Sequence, residues 1–184
     1  MKNKHLLLLA IILVCSYTAF AQDSSLFENK ELIVKGDTLP YRMLYPENFD
    51  TEKTYPLILF LHGAGERGND NQKQLTHGSA LFLDQNNRTK FPAIVIMPQC
   101  PKDDYWAQVN VDRSNYPVQL DFQFIKGPTK AMDLVLQLLE NYEKEDFVDK
   151  NKTYVMGLSM GGMGTYELLA RQPDRFAAAI AICG

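Results

Sequence analysis

Residues 157 to 162 read Gly-Leu-Ser-Met-Gly-Gly. A serine with glycines two positions to either side is a candidate nucleophile, but three fixed positions recur by chance in a few per cent of chains, so context must decide. Here the apolar run TYVMG (153 to 157) precedes Ser159 and the helical pattern MGGMGTYELLAR (160 to 171) follows it. That is the placement a nucleophile elbow requires, a sharp strand-to-helix turn with the serine held at its apex in a strained conformation. Such a turn forces the residues two before and two after the serine together, and Gly157 and Gly161 bring no side chain to clash. Gly162 and Gly164 let the helix lie close to a sheet, a reason for glycines that otherwise weaken it. The chemistry this permits is acyl transfer. The alternative is a glycine-rich turn with no chemistry.

The same turn sets a helix N-terminus beneath the serine, where free N–H groups and the positive end of the dipole favour a developing oxyanion. The N–H of Met160 is therefore the first candidate donor. A second is expected from a loop after an earlier strand, and HGAGERG (62 to 68) follows the apolar run LILFLH (57 to 62). Its glycines allow the N–H of Ala64, or alternatively of Gly65, to point at the same oxygen. Glu66 and Arg67 read either as a solvated ion pair or as a brace for this loop. His62 is a weak candidate for the base, since a histidine opening such a loop more often bonds its backbone, and His77, in LTHGS, is another weak one.

These groups need elements to hold them. ELIVK (31 to 35) and LPYRMLY (39 to 45) flank Gly36-Asp37-Thr38, as two strands with a tight turn do. LILFLH, AIVIMP (93 to 98), TYVMG and AAAIAIC (177 to 183) are continuous apolar runs, as strands buried on both faces show. After the start signal Pro128-Thr129, Met132, Val135, Leu136, Leu139 and Tyr142 recur at helical spacing. Residues 99 to 128 read as a long functional loop. Buried strands alternating with helices predict an α/β fold with a mostly parallel sheet covered on both faces.

With 184 residues, 46% hydrophobic and 22% charged, the chain has the length and composition of one domain. It opens with lysines, an apolar run from Leu6 to Val14 and small residues ending Ala19-Phe20-Ala21, the order of a secretory leader cleaved after Ala21. The apolar run is about half the ~20 residues a spanning helix needs, so residues 22 to 184 are expected in the secreted or periplasmic compartment with no stable membrane insertion. A lipoprotein at Cys15 is the lesser alternative. The formal charge of −3 becomes more negative once Lys2 and Lys4 leave, which argues against nucleic acid as a partner. Cys100 and Cys183 remain where a disulfide is permitted, and two buried free thiols are the preferred reading.

LHGAGERG paired with GLSMGG, with PQCP (98 to 101) and Trp106 between them, resembles the secreted α/β-hydrolase esterases described as predicted peptidases. That group is related to polyhydroxybutyrate-depolymerase-like and feruloyl esterases and to the prolyl oligopeptidase catalytic domain. The resemblance spans residues 30 to 184. It implies Ser159 as nucleophile, Met160 and the HGAG loop as oxyanion hole, and Trp106 with Gln99 in the acyl or alcohol pocket, though Trp106 is equally readable as a core aromatic. It implies no metal or organic cofactor, and a small-molecule or carbohydrate ester as substrate. In this fold the acid and the histidine base follow the nucleophile. After Ser159 no histidine occurs, and Asp174 lies in a helix-to-strand connection. The expectation is therefore a C-terminally incomplete domain, inactive as it stands, with AAAIAIC as a sheet edge. Two rivals remain: a serine peptidase of the prolyl oligopeptidase type, and a non-catalytic exported binding domain.

Overall fold

The computed structural model describes residues 24–123 and 125–184. The leader, its cleavage site after Ala21 and Cys15 lie outside the described residues. Chain order is β1 (Glu28–Val34), β2 (Asp37–Leu44), β3 (Tyr55–Leu61), α1 (Ser79–Leu83), α2 (Gln85–Lys90), β4 (Ile94–Pro98), β5 (Val109–Asp112), β6 (Gln119–Phe122), α3 (Lys130–Tyr142), β7 (Val148–Leu158), α4 (Met160–Arg171) and β8 (Ala178–Ile182). Six strands form one sheet in the order β1-β2-β4-β3-β7-β8, and β5 and β6 pair separately. β1 with β2 and β2 with β4 are antiparallel, whereas β3 with β4, β3 with β7 and β7 with β8 are parallel. The result is the mixed, mostly parallel α/β sheet that the alternation of strands and helices predicts.

The β1–β2 turn falls on Lys35 and Gly36, one residue earlier than the sequence suggests. Both take positive φ, 51° and 90°, the combination that lets a two-residue hairpin follow the strand twist. Residues of β3 alternate between two cores, as the period of a strand requires. Leu57, Leu59 and Leu61 join Met132, Val135, Leu139 and Leu168 on the face covered by α3 and α4. Phe60 joins Phe82, Val95 and Met97 on the other. Helix α3 begins where predicted because two side chains cap it: Thr129 Oγ1 accepts from the Met132 N–H at 3.2 Å, and Asp104 Oδ2 accepts from the Ala131 N–H at 2.8 Å.

Three expectations change. The stretch from 99 to 128 is not wholly loop, since β5 and β6 form a hairpin within it. Short helices α1 and α2 cover one face of the sheet where no helix was read. Cys100 is buried and free, whereas Cys183 is free but exposed, so only one thiol fits the buried reading. β8 is an edge strand among the described residues, with Ile180 51% and Ile182 39% exposed, in line with the expected edge.

Candidate active site

Ser159 sits between β7 and α4 with φ 54° and ψ −114°. Glycine tolerates that region and a serine does not, at a cost of order 1–3 kcal/mol, so the surrounding structure must hold it there. The hold is visible on both sides. The Ser159 N–H donates to the Ile182 carbonyl at 2.7 Å, and the Met163 N–H donates to the Ser159 carbonyl at 3.1 Å. A Cβ on Gly157 would overlap the Gly161 carbonyl and come within 2.6 Å of Thr165 Oγ1. A Cβ on Gly161 would overlap the Leu61 carbonyl and lie 2.9 Å from the His62 carbonyl oxygen. The two glycines therefore meet as the elbow reading requires, and α4 is pressed on the end of β3. Gly164 serves the same packing farther along, where a Cβ would meet that of Trp106 at 2.5 Å.

The first N–H groups of a helix have no acceptor within it, so α4 presents the Met160 N–H beside the serine. Its own N–H being bonded to Ile182, Ser159 cannot supply a second donor. The HGAG loop stands next to the nucleophile: the position of a Cβ on Gly63 lies 3.7 Å from Ser159 Cβ. Ala64, Ser159 and Met160 line one cavity of about 230 Å³, whose other walls include Tyr105, Val111, Arg113, Val118, Leu120 and Met163. Gly65 is exposed and outside that lining. Of the two candidate positions in the loop, the geometry brings Ala64 to the serine.

The loop is braced, though not by an ion pair between Glu66 and Arg67. Arg67 Nε donates to the Ala64 carbonyl at 3.1 Å and Nη1 to the Asp104 carbonyl at 3.2 Å, while its guanidinium lies 4.7 Å from the centre of the Tyr105 ring. The nearest partner of Glu66 is His77, with Nε2 3.6 Å from Oε1. Gln99, expected in the pocket, is not among the residues that line the cavity at Ser159. It is fully buried, donates from Nε2 to the Glu66 carbonyl at 3.1 Å and to Asp70 Oδ1 at 3.0 Å, and accepts from the Asn71 N–H at 2.7 Å. A side chain with its amide so committed holds the loop rather than touching a ligand. Of the two readings of Trp106 the core aromatic fits: fully buried, it donates from Nε1 to the His62 carbonyl at 3.1 Å and packs in the core against α4.

Both ring nitrogens of His62 are taken. Nδ1 lies 2.6 Å from the Gly63 carbonyl, which only a protonated Nδ1 can approach as a donor, and Nε2 accepts from the Cys100 N–H at 3.0 Å. Burial pushes its pKa down, so the ring stays neutral. His77 is 57% exposed at its side chain and faces Glu66. Among the described residues no hydrogen bond joins either histidine to the Ser159 hydroxyl.

The hairpin residues of the cavity wall were not read from the sequence. The signal was weak but present: Val109 and Val111, then Leu120 and Phe122, alternate two apart on either side of the turn-forming Ser-Asn-Tyr-Pro.

A family model described as "Putative esterase" matches residues 36–184. The chain belongs to this esterase family. The structure superposes on the crystal structure of a thermostable esterase with a TM-score of 0.75 and 35% identity, over 87% of this chain and 41% of that one. A ferulic acid esterase matches at 0.58 and 20%, over 84% and 58% of the two chains. FphF of Staphylococcus aureus, a fluorophosphonate-binding serine hydrolase solved with substrate bound, matches at 0.56 and 20%, over 84% and 55%. No curated protein matches the chain. The fold is thus that of the α/β-hydrolase esterases, and this chain spans between 41% and 58% of the length of these three structures.

Proposed function

We propose that the protein is a serine esterase that cleaves small carboxylic esters through an acyl-enzyme. The observation that carries this is Ser159 at φ 54° in a cavity it shares with the N-terminus of α4 and with Ala64. In this reading Ser159 Oγ adds to the ester carbonyl as its proton passes to a histidine. The N–H groups of Met160 and Ala64 receive the oxyanion of the tetrahedral intermediate. Collapse expels the alcohol, protonated by the same histidine, and water then releases the acid by the reverse sequence. His62 has no nitrogen left for this work, and His77 faces Glu66, so neither is assigned as that histidine. A cavity of about 230 Å³ is small beside the ~300–1,000 Å³ of ordinary ligand sites, which favours short acyl groups. The leader at residues 1 to 21 supports export, with Gln22 as the first residue of the mature protein.

Two measurements test the proposal. Full-length protein should release p-nitrophenol from p-nitrophenyl acetate, and Ser159→Ala should lower the rate by roughly 10⁴-fold or more, leaving only what the oxyanion donors supply. A variant as active as the parent refutes the nucleophile. For export, mass spectrometry of protein from its host should find Gln22 at the N-terminus, and a retained leader refutes it.

A further inference from the structure

The cavity over Ser159 has one wall that differs from the rest. Val111 and Leu120 are directly paired in the β5–β6 hairpin, and Arg113 and Val118, two residues farther on each side, share their face because a strand repeats every second residue. All four line the cavity, together with Met160 and Met163 of α4. Arg113 is the only charged side chain in this lining. Its Nη2 lies 3.3 Å from the hydroxyl of Tyr105, and among the described residues it forms no salt bridge. Tyr105 carries a second guanidinium, that of Arg67, over its ring. Arg67 is held by two main-chain carbonyls rather than by a carboxylate.

The neighbouring acids are engaged with main-chain donors. Asp112 accepts from the Ser114 N–H at 2.8 Å. Asp104 accepts from the N–H groups of Tyr105 and Ala131, each at 2.8 Å. An apolar slot with the Arg113 guanidinium in its lining and a second guanidinium stacked on the Tyr105 ring, neither in a salt bridge among the described residues, suits a ligand with a short apolar middle and an anionic end. The fork of a guanidinium matches a carboxylate better than any neutral group.

Building on the esterase reading above, we propose that the site is selective for esters whose acyl part ends in a carboxylate, the monoesters of short dicarboxylic acids. The ester carbonyl lies at Ser159, the methylene chain runs between Val111, Leu120 and Met163, and the free carboxylate meets Arg113 beside the Tyr105 hydroxyl. Because Arg113 is exposed, its gain is limited by solvent and falls with salt.

The test reads binding rather than turnover, so it does not depend on the nucleophile. Full-length protein labelled with ¹³C at its methionine methyls is titrated with 5-oxoheptanoate, a ketone isostere of monomethyl glutarate that cannot be hydrolysed, and, separately, with 5-oxoheptanamide, its neutral amide. Variants Met160→Leu and Met163→Leu assign the two cavity signals. The expected result is saturable movement of both signals, with the carboxylate bound about fivefold more tightly than the amide at low salt and the difference shrinking at 0.5 M NaCl. Arg113→Ala should bring the two affinities together, and Arg113→Lys should restore part of the gap. Equal affinities in the parent, no movement of either signal, or a preference that survives Arg113→Ala overturns the proposal. Fluorophosphonate labelling of the same samples separates the two readings. Labelled Ser159 without carboxylate preference sinks the selectivity alone, and carboxylate preference without labelling sinks the nucleophile alone.

Discussion

Replacing Gly161 by alanine sets two effects of opposite sign against each other. As a residue of helix α4, alanine is favoured over glycine by about 1 kcal/mol, so a surface helix would gain stability. At this position the new methyl would overlap the carbonyl of Leu61 and lie 2.9 Å from the carbonyl oxygen of His62. Both atoms are main chain at the end of β3, where no side chain can rotate away. Overpacking of a tight core costs about 1–3 kcal/mol, and rigid neighbours put this case at the upper limit or beyond it. The net expectation is a loss of about 2 kcal/mol or more, which lowers the urea midpoint by roughly 1 M for a domain of this size. Gly65→Ala is the matched control, since no atom lies within 4 Å of its Cβ and its φ is not positive, and it should stay within about 0.5 kcal/mol of the parent. Urea unfolding of the three proteins followed by circular dichroism decides the matter. A Gly161→Ala midpoint equal to or above that of the parent would mean that helix propensity wins and that α4 is not pressed on β3 as described.

Two further perturbations follow from the same geometry. Trp106→Phe removes the donor to the His62 carbonyl and some core volume, so it should cost about 1–3 kcal/mol in unfolding and leave KM for a small ester unchanged; a large KM change with stability intact would return Trp106 to the pocket. Asp70 is held ionised below the usual carboxylate range first by the Lys73 N–H, aided by the Gln72 N–H, the Lys73 side chain and the Gln99 amide. A depressed pKa contributes its full stabilisation above the ordinary value of 3.8 and loses it progressively as pH falls from there toward the much lower folded-state value, so Asp70→Asn should be less stable than the parent at pH 7 and the gap should begin to narrow below about pH 3.8. Thermal unfolding of both proteins from pH 7 to pH 2.5 checks this, and a constant gap contradicts it.

The elbow was legible because steric necessity leaves a mark in residue type: Gly157 and Gly161 admit no side chain, and the apolar runs of β3, β4 and β7 are what two-sided burial demands. Helix α3 was legible from its spacing and from Thr129. The cavity wall was not, because β5 and β6 are four residues each and largely exposed, so burial imposes almost no pattern on them. Helices α1 and α2, of five and six residues, are too short for a 3.6-residue period to show. The surroundings of Trp106 and Gln99 were not legible for a different reason. Resemblance suggested both for the pocket and left Trp106 equally readable as a core aromatic, but which way each side chain points is set by the His62 carbonyl and by the loop from Glu66 to Asn71, and neither contact leaves a trace in residue order.

The central claim is that Ser159 is the nucleophile, and covalent labelling tests it most directly. Full-length protein is treated with a fluorophosphonate, digested and mapped by mass spectrometry. The account predicts one adduct, on the peptide that contains Ser159, absent from Ser159→Ala and from protein unfolded in urea before treatment. An adduct on another serine, or undiminished labelling of Ser159→Ala, contradicts it.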